Sequence, residues 1–117
     1  MRFPKAARLS TASEFGAART SGQTQHGTFM LINVLRGTGE GRPRIGIITS
    51  RRVGGAVDRN QVRRRIREIF RKHCARLQPD CWLVVVARYK AAHAEFSALE
   101  SEWLRLTARA SILREPC

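Results

Sequence analysis

The feature that most constrains the fold is the stretch from Ser50 to His73, a glycine turn followed by an amphipathic helix. Apolar side chains recur along it at three- and four-residue spacing and predict one buried helix face. That predicted face comprises Val62, Ile66, Ile69, Phe70, His73 and Leu77. Asp58 is predicted to cap the helix, and Gln61, three residues later, completes a capping box. Val57 is predicted to pack on Val62 as a hydrophobic staple.

The other side of the same stretch is densely positive. Residues 51–72 carry nine basic side chains against two acidic ones, a net +7 of the chain's formal +13. Arg63, Arg67 and Arg71 stand at i,i+4 spacing, where like charges repel one another. Arg59 lies in the first turn, where a cation opposes the helix dipole. A solvated charge face usually mixes signs, so this pattern favours a nucleic-acid partner. The pI near 11.6 points to nucleic acid or an anionic membrane surface.

Specific residues follow one another in a fixed order along this stretch, namely Arg51-Arg52-Val53-Gly54, Ala56-Val57, Arg59-Asn60, Val62-Arg63-Arg64 and Arg67-Glu68. The order resembles the signature of the bacterial ribonuclease P protein subunit. Gln61 departs from it, because the family usually has there the third member of an Arg-Asn-Arg motif, and Gly55 replaces a frequent asparagine. The predicted RNA-binding residues are Arg51, Arg52, Arg59, Asn60, Arg63, Arg64, Arg67, Arg71 and Arg88.

The resemblance implies a protein that assists a catalytic RNA in removing the 5′ leader from precursor tRNA, with Mg²⁺ held by the RNA. The arginine motif would dock on that RNA, and a cleft between the first helix and the sheet would hold the leader. Arginine forks suit phosphate groups, and single strands need apolar platforms in a positive groove. Phe15, Met30 and Ile32 are the predicted leader contacts. No further protein partner is implied.

No constellation for catalysis by the protein itself is visible in the sequence. Its nine acids form no paired cluster beside the basic helix, as metal-assisted phosphodiester cleavage requires, and none of its three histidines lies within the arginine motif. Endonuclease activity is therefore expected to come from the RNA. Two other classes stay open: a non-catalytic RNA-binding protein of the ribosomal type, and a basic DNA-binding protein, although no helix-turn-helix precedes the basic helix.

Length and composition predict one domain spanning residues 1–117, which leaves no room for a second core. No apolar run approaches the roughly 18 residues of a membrane span, and the N-terminus lacks the apolar core of a secretory signal. Cys74, Cys81 and Cys117 are odd in number and lack the paired spacing of a zinc site. A cytoplasmic protein with reduced thiols and no metal of its own is expected.

Before the basic helix, the chain predicts a helix and two strands. Thr11 and Glu14 form a capping box that opens a helix running to about Thr20. Residues 28–35 and 44–50 are rich in apolar and β-branched side chains and predict strands. The glycine-rich loop between them suggests that the two strands pair as an antiparallel hairpin.

After the basic helix, residues 81–87 predict a strand buried on both faces, a parallel neighbour of strand 44–50. Residues 94–110 predict a final helix with Trp103 in the core. The fold class is therefore α+β: a small mixed sheet of about four strands packed by helices, in the order α-β-β-(β)-α-β-α, with the bracketed strand left open. The βαβ crossover is right-handed in nearly all folds, whereas the resemblance implies a left-handed one.

Overall fold

A computed structural model of the protein describes residues 8–9 and 11–113. Within these ranges the elements run in the order α1 (Ala12–Ser21), β1 (Gln23–His26), β2 (Met30–Arg36), β3 (Arg44–Ile48), α2 (Ala56–His73), β4 (Cys81–Ala87) and α3 (Phe96–Arg109). Short 3₁₀ turns lie at Arg51–Val53, Cys74–Arg76 and Tyr89–His93. The predicted α+β class is confirmed. The strand left open is β1, which precedes the two predicted strands. No helix within the described ranges is long and apolar enough to cross a membrane.

The four strands form one mixed sheet in the order β1-β2-β4-β3. The predicted parallel pairing of β3 with β4 is confirmed, with Ile47 opposite Val85. The predicted hairpin of β2 with β3 is wrong, because β4 lies between them and pairs antiparallel with β2. β4 is buried on both faces, as Val84 and Val85 show, and a strand of that kind takes the centre of a sheet. The crossover handedness stays a prediction.

The sheet is covered on both faces, and the main core lies between the sheet and helices α2 and α3. Met30 and Ile32 of β2 belong to this core together with Trp103, and all three side chains are fully buried. The predicted core position of Trp103 is thereby confirmed. The opposite face carries a smaller cluster in which Val84 packs with the half-buried Phe15 of α1. Side chains alternate between the two faces along each strand.

Helix α1 begins with the predicted capping box. The Thr11 N–H donates to Glu14 Oε1 at 3.0 Å, and the Glu14 N–H donates to Thr11 Oγ1 at 3.2 Å. The helix packs mainly over β2 and β4, and its Phe15 ring reaches Gly46 of β3. A Cβ at Gly46 would collide with Cε1 and Cζ of Phe15, so the close approach of the ring to the strand requires glycine there.

Helix α2 begins earlier than predicted. Gly55 is its N-cap residue and no side chain caps it, so the capping role predicted for Asp58 is wrong. Gly54 has a φ of 146°, a conformation that favours glycine, and the chain turns there before Asp58 is reached. The Asp58 carboxylate lies against Gly54 instead. The predicted staple is also wrong, because Val57 is 80% exposed.

A buried carboxylate from α3 holds the turn between β1 and β2. Glu102 is 4% exposed and accepts the backbone N–H groups of Thr28 at 2.6 Å, Phe29 at 2.7 Å and Met30 at 3.1 Å. Carboxylates that accept several backbone N–H groups form strong, charge-assisted bonds. This contact fixes one wall of the groove that is described below.

Candidate nucleic-acid interface

Helix α2 divides into a buried and a cationic side as its sequence predicted. Val62, Ile66, Ile69 and Phe70 are buried against the sheet and α3. The cationic side, called here the α2 arc, comprises Arg59, Asn60, Arg63, Arg64 and Arg67. The guanidinium groups of the arc have no carboxylate of the described residues within ion-pair distance. Their charge is therefore available to a polyanion.

Arg63 is held in place by neutral oxygen atoms. Its Nη1 donates to Thr49 Oγ1 and its Nη2 donates to Asn60 Oδ1, each at 2.7 Å. These bonds fix the direction of the guanidinium group and leave its positive charge uncompensated. A cation so oriented loses little side-chain freedom when it binds a phosphate.

Arg67 lies among other cations. Partial burial, and then the positive charges of Arg8 and Arg63, lower the pKa of its guanidinium group. Two like charges crowding a third raise the local positive potential, which weakens when a polyanion binds. Arg59 is half-buried at the start of the arc, and its Nε has no hydrogen-bond partner among the described residues.

Arg71, the last arginine predicted on this helix, has an acidic partner. It forms an ion pair and a hydrogen bond with Glu68 one turn earlier, with Nε 3.1 Å from Glu68 Oε2. The bond to Glu68 raises the pKa of Arg71, and the bond from Arg71 lowers the pKa of Glu68. Arg71 thus offers an RNA less free charge than the arc does, and its RNA contact stays a prediction.

A second basic surface lies where β4 ends. A groove of about 690 Å³ has Leu31 and Val86 on its floor and cationic side chains around its rim. The rim cations are Arg52, Arg88 and Lys90. Arg88 Nη1 donates to the carbonyl oxygen of Gly27 at 2.8 Å, in the turn that Glu102 holds from behind.

The rim also carries Tyr89 beside Lys90, and sequence reasoning assigned no role to either residue. Tyr89 is 64% exposed, and the Lys90 ammonium lies 5.9 Å from its ring centroid. Two cations flanking a tyrosine directly after a buried strand, at Arg88-Tyr89-Lys90, were the available signal. These three residues alone are a weak signal. The groove also needs the cation of Arg52, and only the fold brings Arg52 close to Tyr89.

Two of the three predicted leader contacts are wrong. Met30 and Ile32 are fully buried and face α2 and α3, so neither side chain can touch an RNA strand. The face of β2 toward α1 carries the alternate residues, of which Leu31 lines the groove. Phe15 lies on this face, half-buried over Gly46, and its leader contact stays a prediction.

A mixed four-stranded sheet with an uncompensated cationic helix and a basic groove defines a small α+β protein that binds nucleic acid. The family model for Ribonuclease P matches residues 3–111 of the chain. The Ribonuclease P protein component of Desulfosudis oleivorans is 37% identical over 110 residues, covering 93% of this chain and 89% of that protein. That of Shouchella clausii is 33% identical over 109 residues with the same coverage. The chain belongs to the ribonuclease P protein family.

Solved structures agree on the fold. The Staphylococcus aureus RNase P protein superimposes with a TM-score of 0.85 at 23% identity, covering 94% of this chain and 100% of that one. Membership of the family identifies the chain as a protein subunit of ribonuclease P that acts in tRNA processing. The ribosomal and DNA-binding alternatives are thereby set aside. No three His, Cys, Asp or Glu side chains of the described residues are arranged to hold a metal ion.

Proposed function

We propose that the α2 arc binds the catalytic RNA of ribonuclease P and that the groove beside β4 binds the 5′ leader of precursor tRNA. The observation that carries the proposal is that the cations of two surfaces, the α2 arc and the rim of the groove, have no carboxylate of the described residues within ion-pair distance. The arc is a convex helix side, which suits the surface of a folded RNA. The groove has Leu31 and Val86 on its floor and cations on its rim, which suits one unpaired strand.

In this proposal the protein performs no bond chemistry. The RNA and the Mg²⁺ that it holds cleave the phosphodiester bond, and the protein holds leader and RNA together. The cations of both surfaces offset repulsion between phosphates of the two RNA molecules. The expected consequence is that less Mg²⁺ is needed for cleavage when the protein is present.

Reconstitution tests this division of labour. Full-length chain, catalytic RNA and precursor tRNA are combined at low Mg²⁺, and leader removal is followed on a gel. We expect cleavage only when RNA and protein are both present, with the protein requirement relaxed at high Mg²⁺. Cleavage of precursor tRNA by RNA-free protein would overturn the proposal.

The role of the α2 arc has its own test. The variant Arg63→Ala/Arg67→Ala removes two proposed phosphate contacts, so the slope of log K for the catalytic RNA against log[salt] should flatten by up to about two. Arg109→Ala, on the exposed part of α3, is the control and should leave the slope unchanged. An unchanged slope in the double variant would show that the arc is an ordinary solvated helix face that does not bind the catalytic RNA.

A further inference from the structure

Tyr89 is the exposed aromatic ring of the described residues, and it stands in the basic groove. It and Val57 are the large apolar side chains that remain exposed, at 64% and 80%. The Phe and Trp side chains of the described residues are half-buried or buried. An exposed ring in a positive groove is the element from which sequence-tolerant single-strand sites are built, because every nucleobase has a face that can stack on it.

Hydrogen bonds and a buried neighbour hold the backbone beneath Tyr89. The Arg88 N–H donates to the Phe29 carbonyl at 2.8 Å, and the Ala91 N–H donates to the Arg88 carbonyl at 2.9 Å. Ala91 is fully buried and anchors the 3₁₀ turn that begins at Tyr89. A ring on a fixed backbone loses little further freedom when a base stacks on it, so more of the stacking energy appears as affinity.

Cations stand close to the ring. Arg52 lines the same groove, and the Lys90 ammonium lies over one face of the Tyr89 ring. A base that stacks on the other face would bring its phosphates close to these two positive charges. A groove of about 690 Å³ falls within the roughly 300–1,000 Å³ of sites for small ligands, which is space for a nucleotide and not for a duplex.

We infer that Tyr89 is a specificity-determining residue of the leader site, stacking one unpaired leader base and favouring a purine over a pyrimidine. The inference rests on the proposed binding of the leader in this groove. Purines stack more strongly because their ring system is larger, and stacking strength is the usual source of base preference on such platforms. Arg52 and Lys90 contact phosphates and contribute no preference.

The test measures Kd of the holoenzyme for precursor tRNAs that carry adenine or uracil at successive leader positions, in Ca²⁺ to prevent cleavage. At one leader position the wild-type protein should bind adenine more tightly. Tyr89→Leu should weaken binding about five- to tenfold at that position and remove the preference. Tyr89→Phe keeps the ring and should retain both. His93→Ala, exposed in the same 3₁₀ turn, is the matched control.

A fluorescent readout distinguishes stacking from a loss of fold. 2-Aminopurine at the selected position should be quenched on binding by wild-type and Tyr89→Phe holoenzyme and not by Tyr89→Leu. Binding of mature tRNA without a leader, and of the catalytic RNA, should be equal for all variants. A Tyr89→Leu variant that weakens catalytic-RNA binding but not leader binding would overturn the inference and assign the ring to the other RNA.

The same measurements test leader binding and the role of Tyr89 separately. If a leader adds no affinity over mature tRNA even with the wild-type protein, the leader site itself is wrong. If the leader adds affinity and Tyr89→Leu binds every leader as the wild type does, leader binding stands and the role of Tyr89 is refuted.

Discussion

Replacing Glu102 with glutamine should destabilise the protein although the two side chains have nearly the same shape. Oε1 of Glu102 accepts the Thr28 N–H, and Oε2 accepts those of Phe29 and Met30, at 2.6–3.1 Å. An amide keeps one oxygen atom and turns the other acceptor into an NH₂ donor. Whichever way the glutamine side chain is oriented, at least one backbone N–H then faces a donor at hydrogen-bond distance.

The size of the effect follows from these contacts. Each hydrogen bond to a charged group contributes about 1.5–3 kcal/mol, and an unsatisfied buried donor costs about 1–3 kcal/mol. With the surviving bonds weakened to neutral ones, we expect Glu102→Gln to lower the free energy of unfolding by about 3 kcal/mol. That is a large part of the roughly 5–15 kcal/mol by which small domains are stable.

Urea unfolding followed by circular dichroism measures this loss, with an unchanged m-value showing that only stability has changed. Glu95→Gln, exposed at the start of α3, is the matched control and should change stability by less than about 1 kcal/mol. A loss below about 1 kcal/mol for Glu102→Gln would refute the claim that these bonds hold the turn.

Gly27 supplies an independent check of the same contact. A Cβ on Gly27 would lie 2.5 Å from the Glu102 carboxyl carbon, so Gly27→Ala alone should be destabilising. In a Glu102→Ala background the collision is absent and the same change should cost little. A double-mutant cycle therefore predicts strong non-additivity between the two positions, and additive effects would show that the two residues do not press on each other.

Three further predictions concern pH, packing and thiol chemistry. Hydrogen bonds from His73 and Lys72 lower the pKa of Glu100 below its ordinary 4.5. The stabilising contribution of Glu100 is therefore complete above its unfolded-state pKa and is lost as the pH falls through its folded-state pKa. Glu100→Gln should flatten the acid side of the plot of stability against pH, and an unchanged plot would contradict this. Gly46→Ala should destabilise by about 1–3 kcal/mol in urea unfolding through overpacking against Phe15, and a neutral result would contradict the close approach. Burial raises the pKa of the Cys81 thiol to about 11, so iodoacetamide at pH 8 should alkylate the half-buried Cys74 faster than Cys81 in the native protein. Equal rates at these two thiols would argue against that burial.

The α2 arc could be predicted because both of its signals are local. Helical periodicity places Val62, Ile66 and Ile69 on one side and the arginines on the other, whatever the helix packs against. The absence of acids at i,i+4 from Arg63 is likewise readable in sequence, and the structure adds no carboxylate from elsewhere in the described chain. The Glu68–Arg71 ion pair, at i,i+3 spacing, was also readable from the sequence, and it leaves Arg71 with less free charge than the prediction assumed.

The face of the sheet to which each side chain of β2 points could not be predicted from its residues. Met30 to Leu35 is apolar at almost every position, because both faces of the sheet are covered. The period-two alternation that reveals the inward side of a half-exposed strand is therefore missing. Assigning Met30 and Ile32 to the RNA-binding face was wrong for this reason.

By itself the sequence determined the elements whose information is short-range: the α1 capping box, the buried strand Cys81–Ala87, and the amphipathic, cation-rich α2. Only the tertiary structure decided the strand order and the groove. Insertion of β4 between β2 and β3 brings Leu31, Arg52 and Arg88 together from distant parts of the chain. Strand pairing depends on which strand buries the most apolar surface in the folded chain. That requires a comparison of all the strands, and no local sequence pattern provides it.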